Sequence, residues 1–153
     1  SHYYMVNGEL GANVPKVDAA RGKKIFEAMA AAIRAGVVRS CHDLSEGGLA
    51  AAAAEMAFAG DLGIGLDLAK VPCSMDVERD DQILFSESAT RFLVEVREKD
   101  ADRLEEFFGG SACAEVGEVL HDKRLAIKGW AGKVVVDEKI ADLRESWMKP
   151  MKW

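Results

Sequence analysis

The stretch Cys41-His42-Asp43-Leu44-Ser45-Glu46-Gly47-Gly48-Leu49 constrains this chain most. A β-branched pair, Val37 and Val38, leads into it, and an alanine-rich run, 50–59, leads out. The order reads as strand, polar glycine turn, helix start. At such a junction the first N–H groups of the helix have no intrahelical acceptor, and they face whatever the turn encloses. Ser45 is placed to cap the helix through its hydroxyl. Asp43 offers a hard carboxylate oxygen of the kind Mg²⁺ prefers. The two glycines, Gly47 and Gly48, remove the Cβ atoms that would keep a phosphate off the main chain. The same residues also suit a plain capped helix start with a glycine turn, and the pattern alone leaves both readings open.

Size and charge narrow the classes. A chain of 153 residues suits one domain with one sizeable core. The formal net charge of −6 speaks against a nucleic-acid surface, which needs a basic face. No apolar run approaches the roughly 20 residues of a membrane span. The three cysteines, Cys41, Cys73 and Cys113, form no C-x-x-C pair, so reduced thiols and a cytoplasmic location are expected. Cys41 and Cys113 read as core positions. The opening Ser1-His2-Tyr3-Tyr4 has no initiating Met, as expected of a piece of a longer protein.

Periodicity supplies the remaining elements. Residues 1–17 carry Gly8, Gly11 and Pro15 with little pattern and read as a connector from a missing upstream domain; 18–153 form a single domain. The spacing of Ile25, Phe26, Met29 and Ile33 predicts a helix over 18–35, ended by Gly36 at C′. A strand follows over 37–41. The next helix buries Leu49, Ala52, Ala53, Met56 and Ala57. Leu62, Ile64, Leu66 and Leu68 alternate with Gly63, Gly65 and Asp67, a strand with one greasy and one nearly bare face. A short helix is expected at 77–82, then a polar loop at 85–88 and a strand at 91–96. Asp100 caps a helix that Gly109-Gly110 stops. A hairpin is expected between 114–120 and 124–128, turning at His121-Asp122-Lys123. A strand at 133–136 precedes a final helix that starts at Asp137 and turns Ile140, Leu143 and Trp147 inward. Interleaved helices and strands predict an α+β fold, a three-layer α/β/α domain with a mixed sheet.

A second polar cluster is Ser86-Glu87-Ser88-x-x-Arg91, just before a strand. Its hydroxyls, carboxylate and guanidinium suit a ribose or phosphate; they equally suit a solvated loop with Glu87 beside Arg91. His42 could serve as a general acid or base, or simply pack at a strand end. His2 and His121 read as surface residues. Trp130, Trp147 and Trp153 read as packing or terminal anchors.

Residues 38–49 closely resemble the H-D-x-S-D/E-G-G-L segment of phosphoribosylformylglycinamidine synthase, and in particular the second of its two C-terminal-type domains. Ser1-His2-Tyr3-Tyr4 resembles the end of its G-G-S-x-Y segment. Leu62 to Leu68 resembles its G-x-x-I/V-x-L strand. Leu84 to Phe92 resembles F-S-E-S-x-x-R-F, and Gly117-Glu118-Val119 resembles a late x-G-x-V strand. The wider superfamily includes aminoimidazole ribonucleotide synthetase, selenophosphate synthetase and a hydrogenase maturation protein, whose glycine motifs differ.

The resemblance implies the fold of the C-terminal domain of aminoimidazole ribonucleotide synthetase-related proteins. It also implies an ATP-dependent ligase of de novo purine synthesis, which converts formylglycinamide ribonucleotide and glutamine-derived ammonia to the amidine. The implied ligands are ATP or ADP with Mg²⁺. The implied partners are the upstream domains of the same polypeptide, a glutaminase domain or subunit, and a small scaffold subunit, with no nucleic acid and no membrane. On this resemblance Asp43 is the metal residue, and Ser45, Gly47, Gly48, Glu87, Ser88 and Arg91 are the nucleotide or phosphate residues. The family's working copy reads E-S-Q where this chain has Glu87-Ser88-Ala89, so the implied site here is an auxiliary, structural nucleotide. The family's catalytic histidine and G-N-x-S segment lie in other domains; no residue of this chain is assigned a catalytic role. Two further readings stand beside it: a structural ADP–Mg-binding module, and a related synthetase of the same superfamily.

Overall fold

A computed structural model describes residues 1–11, 14–73, 77, 79–109 and 113–151. Gly110, Trp153 and residue 78 of the expected 77–82 helix lie outside them. Among the described residues the fold has six α-helices, α1 (His2–Val6), α2 (Ala19–Arg34), α3 (Gly48–Gly60), α4 (Asp80–Phe85), α5 (Ala101–Phe108) and α6 (Ile140–Met148). These residues also form six strands, β1 (Val38–Asp43), β2 (Gly63–Asp67), β3 (Phe92–Val96), β4 (Gly117–Leu120), β5 (Arg124–Lys128) and β6 (Val134–Lys139).

The α+β class and the mixed sheet both hold. β1 and β3 pair antiparallel as a two-stranded sheet, while the order β4-β2-β5-β6 makes a four-stranded one. In the larger sheet β2 runs parallel to β5 and antiparallel to β4. Helix α3 touches β1 and β3 of the small sheet, β2 and β5 of the larger one, and the helices α4 and α6. Its buried Leu49, Ala52, Ala53 and Ala57 form one i, i+3, i+4 stripe, and the small alanine side chains let these neighbours approach closely. Its Leu49, Ala52 and Ala53 join Leu66, Leu68, Ile83, Leu84, Leu93, Leu125 and Ile127 in the main core. Leu68 and Ile127 are fully buried, worth about 1.5–3 kcal/mol each in apolar transfer. A smaller core joins Ala32, Val37 and Leu104 to Val94 and Val96. Leu93 and Val94 thus face opposite cores across β3, as strand alternation requires.

The helix expected over 18–35 stands as α2, and Asp18 is its cap, accepting the Arg21 N–H at 3.0 Å. Gly36, at φ +71°, ends α2. Its N–H meets the Ile33 carbonyl and the Val37 N–H meets that of Ala32, a Schellman pair.

Others are corrected. Ser45 does not cap α3; the cap position is Gly47, without a side-chain bond. Residues 2–6 of the expected connector form a helix. The short helix lies at Asp80–Phe85 and takes in Phe85, which the sequence placed in a loop. Strand β1 runs on to Asp43. β6 runs on to Lys139, so α6 starts at Ile140 rather than Asp137. Cys41 is exposed, although its sulfur lies 4.0 Å from that of Met29 on α2.

The largest correction concerns the expected hairpin. β4 and β5 are not neighbours, because β2 lies between them. The link at 121–123 therefore crosses the end of β2, spanning two strand spacings of roughly 4.8 Å. That arch brings the Asp122 carbonyl down onto Gly63, where a Cβ would collide with it. The bare face of β2 is covered by the protein itself, by main chain at Gly63 and by the Leu120 side chain at Gly65.

Gly63→Ala should accordingly destabilise the protein by about 1–3 kcal/mol through overpacking against fixed backbone. Gly60→Ala, at the end of α3 with open space around it, should be neutral or stabilising by up to about 1 kcal/mol. Chemical denaturation of the two variants checks both.

Candidate functional site

Strand β1 delivers His42 and Asp43 to the start of α3, and the segment after α4 delivers residues 86–91 to the same place. The two motifs that the sequence separates by 40 residues touch. The Gly47 N–H donates to the Glu87 carboxylate at 3.1 Å. The Leu44 N–H donates to the Arg91 carbonyl at 3.0 Å. Gly48, at φ +62°, lies so close to the Leu84 and Ser86 carbonyls that a Cβ there would stand 2.7 and 2.6 Å from them. The glycine pair thus serves close backbone packing, and Gly47 at φ +76° also needs the left-handed region.

Glu87 sits where an anion would sit, at the N-terminus of a helix. It also accepts the His2 N–H at 2.7 Å. Burial alone would push its carboxyl up, but the His2 and Gly47 N–H groups outweigh that and hold it below the usual glutamate range. Its side chain is 20% exposed, so it is no solvated loop residue, and its partners are the His2 and Gly47 amides and the His2 ring at 3.2 Å, not Arg91. Arg91 instead reaches back to the Ser86 carbonyl, and the Ser86 and Ser88 hydroxyls bond each other at 2.7 Å. Arg91 is therefore the clasp of the 86–88 loop. Thr90, a β-branched residue at φ +62°, carries strain of order 1–3 kcal/mol in the same loop.

Asp43 behaves differently. Its side chain is 64% exposed, and its nearest cation is the His42 ring at 3.7 Å. No Lys or Arg neutralises it among the described ion pairs. A lone open carboxylate fits Mg²⁺, which binds through one or two carboxylates plus phosphate and water. No cluster of three or more His, Cys, Asp or Glu that could hold a metal occurs among the described residues. Any cation here would need ligands beyond this chain's side chains. The Gly47 and Gly48 N–H groups are taken, by Glu87 and the Ser45 carbonyl. The first-turn amides of Leu49 and Ala50 have no intrahelical acceptor by position.

Three contributors were not legible as site residues. His2 holds Glu87. Tyr3 stacks on Phe85 with ring centres 4.6 Å apart and donates to Asp81 at 3.2 Å. Glu55 meets His42 Nε2 at 3.0 Å, while His42 Nδ1 meets the Asp43 carbonyl at 2.7 Å. Burial opposes charging of His42, but the Asp43 carbonyl and the Glu55 carboxylate more than offset it and raise its pKa. The available signal for Glu55 was its isolation as the one charged residue of α3. Cys73 has its thiol pushed up by burial, against the opposing pull of Arg91, so it lacks a nucleophile's setting.

Glu87→Gln should lower stability at neutral pH by about 1–2 kcal/mol, the usual worth of hydrogen bonds to a charged acceptor. Because the Glu87 carboxyl is lowered on folding, its contribution is present above the unfolded value and is lost as pH falls through the folded one. The variant should therefore show a shallower acid decline than the parent in denaturation measured from neutral pH downward.

Comparison with known proteins fits this geometry. The model of the family "AIR synthase related protein, C-terminal domain" matches residues 4–129. The phosphoribosylformylglycinamidine synthase subunit PurL of Deinococcus radiodurans is 36% identical over 149 residues, 96% of this chain but 19% of that protein. The chain thus spans about a fifth of the length of this curated relative. The structure of T. maritima PurL complexed with FGAR superposes with a TM-score of 0.77 at 25% identity, covering 85% of this chain and 22% of that one. The same protein complexed with ADP gives 0.72 at 26% identity over 79% of this chain and 21% of that one. From the family match across most of its length, the chain belongs to the AIR synthase related proteins, as a C-terminal domain.

Proposed function

We propose that this domain is the last part of a phosphoribosylformylglycinamidine synthase, the ligase that uses ATP to turn formylglycinamide ribonucleotide and ammonia from glutamine into the amidine. Its role there is to hold a nucleotide rather than to perform the bond-making step. The observation that carries this reading is the open Asp43 carboxylate at the start of α3, next to a loop whose own polar groups are tied up internally. Asp43 is the residue for Mg²⁺. Ser45 and the main chain at Gly47 and Gly48 face the phosphates, and Glu87, Ser88 and Arg91 shape the neighbouring wall. Bound there, the Mg²⁺ would neutralise phosphate charge that a protein with a net charge of −6 would otherwise repel.

Glu87 already places a negative charge on the Gly47 amide. A phosphate reaching that amide has to take the carboxylate's place, which suits a nucleotide bound once and kept. The methyl side chain of Ala89, in place of a longer polar residue, offers no hydrogen-bonding group toward a substrate. The reading assigns residues 1–17 as the connector from an upstream domain of the same polypeptide, with a glutaminase domain or subunit and a small scaffold subunit as further partners. Relatives about five times longer than this chain support a need for those parts.

The isolated 153-residue chain should form no amidine from formylglycinamide ribonucleotide, ATP and ammonia. In the full-length enzyme, Asp43→Ala should release at least about 90% of the ADP that the parent retains through desalting, as a tenfold or larger loss of affinity predicts. ADP content is read by chromatography after denaturation. Turnover by the isolated chain, or undiminished ADP in the variant, would contradict the reading.

A further inference from the structure

We propose that Glu55 is a positioning residue for the Asp43 turn: acting through the His42 ring, it fixes the peptide that joins Asp43 to Leu44 and so aims the Asp43 carboxylate outward. The proposal rests on the reading of Asp43 as a metal residue only for its functional consequence; the positioning itself is a property of the protein alone.

Helix α3 is otherwise built from glycine, alanine and other uncharged residues, so a charged side chain in it calls for a reason. Glu55 stands at the eighth residue of α3, two turns from the glycine start, on the side that meets β1. Its Oε2 lies 3.0 Å from His42 Nε2, and both side chains are about one-third exposed, in partial shelter from solvent. On its other side the ring meets the Asp43 carbonyl at 2.7 Å. The Asp43 carboxylate is 3.7 Å from the same nitrogen, beyond hydrogen-bonding reach. The ring therefore holds the main chain and leaves the carboxylate free.

The other half of that peptide is pinned as well, since the Leu44 N–H donates to the Arg91 carbonyl at 3.0 Å. The peptide plane is thus set from both edges, by His42 on the carbonyl and by the β3 side on the N–H. Without Glu55 the imidazole has no partner on its far nitrogen. It is then free to rotate about its last torsion, where it can take the Asp43 carboxylate as acceptor instead of the carbonyl. A carboxylate captured in that way no longer points at a cation. Residues that orient a ligand group through a second hydrogen bond typically change affinity by about 10–100-fold when removed.

The test uses the 153-residue chain with Glu55→Ala and Glu55→Gln. Alanine is the best helix former, and glutamine keeps an acceptor oxygen of the same reach, so both variants should fold. Without any ligand, the Leu44 amide and the Asp43 carboxyl carbon should shift in NMR spectra of Glu55→Ala and return toward the parent in Glu55→Gln. Unchanged resonances in Glu55→Ala, or an equal change in both variants, would overturn the positioning role. Titration of the full-length enzyme with Mg·ADP then reads the consequence: binding should weaken about tenfold in Glu55→Ala and less than about threefold in Glu55→Gln. Glu55→Ala should add nothing on top of Asp43→Ala, as expected when one residue acts through the other. NMR coupling in the 153-residue chain together with a full-length parent enzyme that binds no Mg·ADP would overturn the nucleotide reading of the site and leave the positioning role standing.

Discussion

The structure depends on one alanine-rich helix that strands of both sheets approach. Helix α3 has few large side chains, so β1, β3, β2 and β5 can all come close to it. This places Leu49, Ala52 and Ala53 in the main core, where the two alanines leave no room for a bulkier residue. Close approach also dictates how the helix begins. Its first residues meet the end of α4 main chain to main chain, which is why Gly47 and Gly48 are both in the left-handed region and why Gly48 abuts two carbonyls.

That packing has an electrostatic consequence. The N-terminus of α3 carries partial positive charge in a part of the molecule that is already crowded. Glu87 answers it with a carboxylate on the Gly47 amide, and the helix at 2–6 adds a further donor through His2. Arg91 turns away from this charge and secures the loop's own carbonyls. What is left exposed is Asp43, an acidic group with no Lys or Arg partner among the described ion pairs. The site is thus less an open cradle of glycine amides than a closed turn with one free carboxylate at its rim.

A domain arranged in this way is suited to support. Its polar groups near α3 hold one another, and its strained Thr90 is locked between the loop clasp and α2, where Gly22 leaves space for it. Among the described residues no helix is long and apolar enough to cross a membrane. Apolar side chains such as Phe26, Ile33 and Trp147 remain about half exposed. In a chain that covers about a fifth of its relatives' length, such surface is consistent with burial against the rest of a larger protein.

Much of this was legible in the residues. The period of α2, its Schellman end at Gly36, the apolar alternation of β2 and the helix after the glycine pair are local patterns, set by side-chain spacing and backbone freedom within a few residues. The family likeness rested on short motifs and needed no coordinates. Strand order was another matter: nothing in 114–128 reveals that β2 enters between its two strands, because a three-residue link reads as a hairpin until a third strand claims the space. Nor could the sequence tell that Gly48 makes room for the Leu84 and Ser86 carbonyls, or that the Gly47 amide is already held by Glu87. That Glu87 would answer a helix 40 residues away, and that Glu55 would hold a histidine in another element, were likewise beyond it. Sequence determines what each segment can do by itself; which donors remain free is decided only when distant segments compete for them in the folded chain.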